Sequence, residues 1–119
     1  MTVRRIKSYS AQSGYVYQYH FEEVRPQQKR GGREGTEYVY IVSRDRKHSF
    51  AVPIFLRRDA VEQWAQSHGR PLTGTEEYAA AKMRLFAAFD EMPELEAERL
   101  RLEVTPENLG ELLTALDLD

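Results

Sequence analysis

Between Tyr15 and Phe21 the chain reads Tyr-Val-Tyr-Gln-Tyr-His-Phe, with a ring at every second position. Period two is the spacing of a pleated strand, so Tyr15, Tyr17, Tyr19 and Phe21 share one face and Val16, Gln18, His20 and Glu22 the other. Such aromatic and β-branched density suits a sheet. The row of rings has two readings: a core face packed against helices, or a surface that stacks on a ligand.

The same period recurs through the first half. Val3 to Tyr9 reads as a first strand, followed by turn chemistry at Ala11-Gln12-Ser13-Gly14. Pro26 is expected to stop the aromatic strand, leaving Gln27 to Gly35 as a glycine-rich basic loop. Thr36 to Val42 and Ser49 to Leu56 are the next strands, joined by a charged turn from Ser43 to His48. In the last of these Phe50, Val52, Ile54 and Leu56 share a face, and Pro53 implies an edge or a bulge.

After Leu56 the period lengthens. Asp59 and Glu62 have capping-box spacing, and Ala60, Val61, Trp64, Ala65 and His68 follow on one helical face until Gly69 and Pro71. A second helix starts at Thr73 or Thr75 and runs to about Glu91, with Tyr78, Met83, Leu85, Phe86 and Phe89 as its apolar stripe and Pro93 beyond its end. Leu95 to Val104 reads two ways. Leu100, Leu102 and Val104 alternate with charges, which favours a short strand near 99–104, while the glutamates before them tolerate helix. Thr105-Pro106-Glu107-Asn108 opens a last helix, whose buried face carries Leu109, Leu112, Leu113 and Leu116.

The change of period within 119 residues predicts a single α+β domain over 1–119. A curved antiparallel sheet of about four strands forms the N-terminal half, and two or three helices from the C-terminal half pack on it.

Composition narrows the chemistry. With no cysteine there is no disulfide, thiol nucleophile or thiolate metal site. No apolar run approaches the roughly 18–20 residues of a membrane span, and no signal peptide is visible, so the expected location is the cytoplasm. His20, His48 and His68 lack diagnostic metal-ligand spacing, and no cofactor motif occurs. His20 with Glu22 is the one strand-borne pair suited to acid–base work.

Charge is divided unevenly. Residues 1–58 hold 12 Lys/Arg against 5 Asp/Glu, a balance of +7, and residues 59–119 hold 5 against 14, a balance of −9. The halves either interleave and cancel or present a basic face to an anionic partner. The second case gives the leading functional expectation, a non-catalytic domain that binds nucleic acid or another polyanion through its β half. Its candidate residues are Arg5, Lys7, Arg25, Lys29, Arg30, Arg33, Arg44, Arg46 and Lys47, with Tyr17 and Tyr19 as stacking rings. The alternative is a protein-interaction or accessory subunit, a homodimer in its simplest form, and a small enzyme with a His/Glu site comes third.

Overall fold

The computed structural model describes residues 5–116. Five strands form one sheet: β1 (Lys7–Ser10), β2 (Val16–Arg30), β3 (Arg33–Ser43), β4 (Ser49–Arg57) and β5 (Glu103–Val104). They lie side by side in sequence order. The first three junctions are antiparallel and the last, β4 to β5, is parallel. The sheet is therefore mixed. A parallel neighbour needs a long crossover, here supplied by α1 (Arg58–His68), α2 (Gly74–Glu91), and α3 (Leu95–Glu98) with its 3₁₀ continuation Arg99–Arg101. A last short helix, α4 (Leu109–Thr114), follows β5. Residues 3 and 4 of the expected first strand lie outside the described residues.

The expected loop at Gln27–Gly35 is strand almost throughout. Gly31 and Gly32 both adopt left-handed φ, 59° and 79°, so β2 and β3 meet in a two-residue turn closed by Arg30 opposite Arg33. Left-handed φ at both central positions matches the twist of a hairpin and favours glycine. Nor does Pro26 end β2. The register shifts between Phe21 and Glu23 and again between Arg25 and Gln28, and Pro26 sits in the second irregularity beside Gln27 at φ 58°. β1 pairs with Val16 to Tyr19, and among the described residues this side of β2 has no strand partner beyond Tyr19. A missing N–H costs no ladder bond there. On β4, Pro53 pairs with Val39 and precedes Phe55 and Leu56, which pair with β5.

The aromatic row is core. Tyr17 and Tyr19 are buried, Tyr17 stacks on Phe89 of α2 at 4.3 Å, and Tyr9 stacks on Phe86 at 4.4 Å. Tyr40, Val42, Val52, Ile54 and Leu56 extend this face, and Leu85, Ala88, Phe89, Leu109 and Leu113 cover it. Tyr15 departs from the row: it precedes β2, is half-exposed, and lies under the Arg44 guanidinium.

Helix boundaries show which capping signals act. Asp59 does not cap α1, whose N-cap is Arg57 without a side-chain bond; instead the Asp59 carboxylate accepts from Arg57 Nε at 2.9 Å. The capping box forms at Thr73, where the hydroxyl accepts from the Glu76 N–H and the Glu76 carboxylate from the Thr73 N–H. The Arg70 guanidinium and then the Thr73 N–H hold the Glu76 carboxyl down at about 2. Gly69, in left-handed φ, closes α1 by donating to the Ala65 carbonyl. Thr105 and Asn108 form a reciprocal pair of side-chain-to-backbone bonds, but α4 begins only at Leu109. The segment from Leu95 to Val104 is both things in turn, with Leu100 exposed and Leu102 and Val104 buried.

On the opposite sheet face a second, small apolar layer lies near the hairpin end. Phe55 is fully buried there, against Gly35 of β3, with the Arg30 guanidinium 4.9 Å above its ring. Arg30 donates to the carbonyls of Leu102 at 2.8 Å and Pro53 at 3.3 Å, and its charge faces Glu37 at 3.6 Å. Arg30 thus reaches from β2 to the backbone of β4 and of the residue before β5.

Candidate anion-binding site

The nine cations singled out from the sequence do not form one surface. Arg30 and Arg33 stand at the β2–β3 turn, while Arg44, Arg46 and Lys47 belong to the β3–β4 turn. Ten residue steps of β3 separate the two turns, roughly 33 Å at strand rise. Several are neutralised locally. Arg25 donates to Glu23 at 2.7 Å and lies 3.8 Å from Glu37; Arg33 lies 3.5 Å from Asp59. Arg30 is the clamp over Phe55. Arg44 lies over the Tyr15 ring at 4.1 Å and donates to the Pro93 carbonyl at 3.1 Å. Lys29, Arg46 and Lys47 are exposed. In the β3–β4 turn Asp45 accepts the Lys47 and His48 N–H groups, each at 2.9 Å, which lowers its carboxyl. Tyr17 and Tyr19, with 1% and 6% of their surface exposed, offer no ring face for a base to stack on. The basic and acidic halves therefore interleave: Arg33 meets Asp59, and His48 meets Glu96 at 2.8 Å.

Arg5 and Lys7 behave differently. They line a concavity of about 320 Å³ with Tyr19, His20 and Phe21 of β2 and with Tyr78 and Lys82 of α2. Antiparallel pairing sets Lys7 opposite Tyr19, and α2 crosses this face so that Tyr78 and Lys82, spaced four apart, reach the same rim. Lys82 Nζ lies 5.7 Å from the Phe86 ring. Partial burial and then the neighbouring Lys7 charge lower the Lys82 ammonium. Among the described residues no carboxylate reaches salt-bridge distance of Arg5, Lys7 or Lys82. His20 borders the same hollow and donates to Glu22 at 3.3 Å, so the strand-borne His/Glu pair does form.

Lys82 was not among the sequence candidates, because it belongs to a helix in the acidic half. Its signal was local: a single lysine set between Tyr78 and Phe86 in an aromatic stripe. The other His/carboxylate contact joins His48 to Glu96 at 2.8 Å across the β3–β4 turn and α3, and it raises the imidazole. Among the described residues no group of three or more His, Asp or Glu side chains converges as a metal site would require, and no helix is long and apolar enough to cross a membrane.

No protein-family model matches the chain, and neither a curated protein nor a solved structure shows significant similarity to it.

Proposed function

We propose that this chain is a non-catalytic binding domain whose ligand is a polyanion, in the first instance a nucleic-acid strand, engaged at Arg5, Lys7 and Lys82. One observation carries the reading. Where Arg25, Arg30, Arg33, Arg57, Arg58 and Arg70 each face a carboxylate, these three cations converge without one among the described residues. Like charges gathered at a partly desolvated rim repel one another, and a phosphate-bearing ligand relieves that cost. The surface is smaller than the whole basic β half and draws one of its members from a helix.

The test is fluorescence anisotropy with labelled single- and double-stranded oligonucleotides. Three phosphate contacts on a single strand give a salt slope of about −2, so raising salt from ~50 to ~200 mM should weaken binding about 20-fold. Lys7→Glu/Lys82→Glu should abolish binding, while Arg46→Glu/Lys47→Glu, at the far turn, should leave it within about twofold. Absence of binding at low salt, or indifference to the Lys7/Lys82 variant, refutes the proposal.

A second reading, a protein-interaction or accessory subunit acting as a homodimer, draws on the β2 edge that has no partner beyond Tyr19 among the described residues. Sedimentation equilibrium tests it, and a monomer at every concentration would remove the homodimer.

A further inference from the structure

A second concavity shares no residue with the basic one. It lies where the start of β2 and the β3–β4 turn face the connection between α2 and α3, and it measures about 390 Å³. That is the size of a pocket for a small organic molecule. Tyr15 and Phe50 form apolar wall on the sheet side, and Pro93 and Leu95 on the helix side.

Its polar groups are unevenly committed. The Asp45 carboxylate is occupied by the N–H groups of Lys47 and His48, and the Glu96 carboxylate by His48. Glu94 lies on the rim. Arg44 has a carbonyl and a ring for partners and, among the described residues, no carboxylate within salt-bridge distance. Tyr17 lines the same cleft; its hydroxyl is completely buried, makes no hydrogen bond of acceptable geometry, and raises the Arg44 guanidinium. A buried hydroxyl without a partner costs stability. Here it stands beside a guanidinium whose hydrogen bond runs to the Pro93 carbonyl.

We infer that this cleft binds a small carboxylic acid with an aromatic or branched aliphatic body, its carboxylate received by Arg44 and the Tyr17 hydroxyl and its body held between Tyr15, Phe50, Pro93 and Leu95. The fork of N–H groups on arginine matches the two oxygens of a carboxylate, and the hydroxyl supplies a further donor. An amine is disfavoured because the guanidinium sits at the polar end and two of the three nearby carboxylates are already engaged. A neutral amide lacks the charge that the guanidinium rewards.

The experiment is a titration of the ¹⁵N-labelled chain with benzoate and isovalerate, with benzamide and benzylamine as neutral and cationic controls. Amide shifts should move at Tyr15, Arg44 and Leu95, and benzoate should bind at least ~10-fold more tightly than benzamide. Tyr17→Phe keeps the ring stacked on Phe89 and removes only the hydroxyl; about a fivefold loss of benzoate affinity is expected. Arg44→Met should lose ~10-fold or more. Shifts absent at about 10 mM benzoate overturn the inference. So do equal binding of benzamide, shifts confined to Lys7 and Lys82, and a Tyr17→Phe variant that binds as the parent does. Nucleic-acid binding is read at other residues, so failure of either site leaves the other standing.

Discussion

Replacing Gly35 with alanine adds a single methyl group where β3 passes over Phe55, and it should destabilise the fold. A Cβ built there collides with the Leu56 carbonyl oxygen, lies 2.7 Å from Phe55 Cζ and 3.1 Å from the Leu56 carbonyl carbon. Carbon pairs sit comfortably at about 3.5–4.0 Å, so the ring would have to retreat by roughly 1 Å. It cannot do so freely, being fully buried under Arg30. The carbonyl belongs to backbone already paired with β3. Overpacking against such neighbours costs about 3 kcal/mol, and the entropy that alanine removes from the unfolded chain returns about 0.7, leaving a loss near 2 kcal/mol. With an unfolding entropy of about 0.25 kcal/mol/K for a chain of this size, that is a fall of about 8 °C in Tm. Urea unfolding followed by Trp64 fluorescence measures the loss directly. Trimming the ring as well, in Gly35→Ala/Phe55→Leu, should not recover it, since the nearest atom is backbone. Gly74→Ala, in the first turn of α2 with nothing near its added Cβ, should instead stabilise by about 0.5–1 kcal/mol. A Gly35→Ala midpoint within about 0.3 kcal/mol of the parent would refute this account of how the strands cross.

Four further outcomes follow from described contacts. Thr73→Ala removes one half of the α2 capping box and should cost about 1 kcal/mol in chemical denaturation. Arg30→Met strips two carbonyls of a donor and should cost about 1–3 kcal/mol, whereas Arg46→Glu should change stability by under about 0.5, both read from urea midpoints. Phe89→Ala empties the centre of the aromatic stack and should cost about 3–5 kcal/mol by the same measurement. His48→Gln should act through pH. The folded imidazole is raised by Glu96, so its contribution is complete below the unfolded value near 6.5 and fades as pH climbs through the folded one. A Tm deficit at about pH 5.5 that vanishes by about pH 9 is the expected pattern, and a deficit independent of pH would contradict it.

How far the sequence showed this architecture depends on how local each cause is. The leucine spacing of α4 marks its buried face directly, whereas the ring alternation from Tyr17 to Phe21 marks a shared face without saying what covers it, and Tyr17 and Tyr19, read as candidate stacking rings, are buried. Pro26 and the Arg30–Arg33 stretch were misread because their effect depends on neighbours. A proline is harmless where β1 has ended, and two glycines make a turn of two residues as readily as a longer loop. The two residues of β5 are fixed by Phe55 and Leu56, far away in sequence. The candidate site was half legible. Arg5 and Lys7 stood out by charge, but convergence with Lys82 is set by where α2 crosses β1 and β2. Arg30 looked like a free basic residue only because nothing in its own segment reveals Phe55 beneath it.

The covering of the tyrosine-rich face has a consequence for how the chain is made. Tyr17, Tyr19, Tyr38 and Tyr40 all lie N-terminal to α2, and α2 supplies Phe86 and Phe89 as their cover. At ordinary elongation rates the stretch from the end of β4 to the end of α2 takes about 2–7 s to synthesise. For that interval a nascent sheet would show its aromatic side to the solvent, with an open β2 edge beside it. The bulges, Pro26 and the charged residues along that edge then act as guards during synthesis, discouraging strand-to-strand association before the helix arrives.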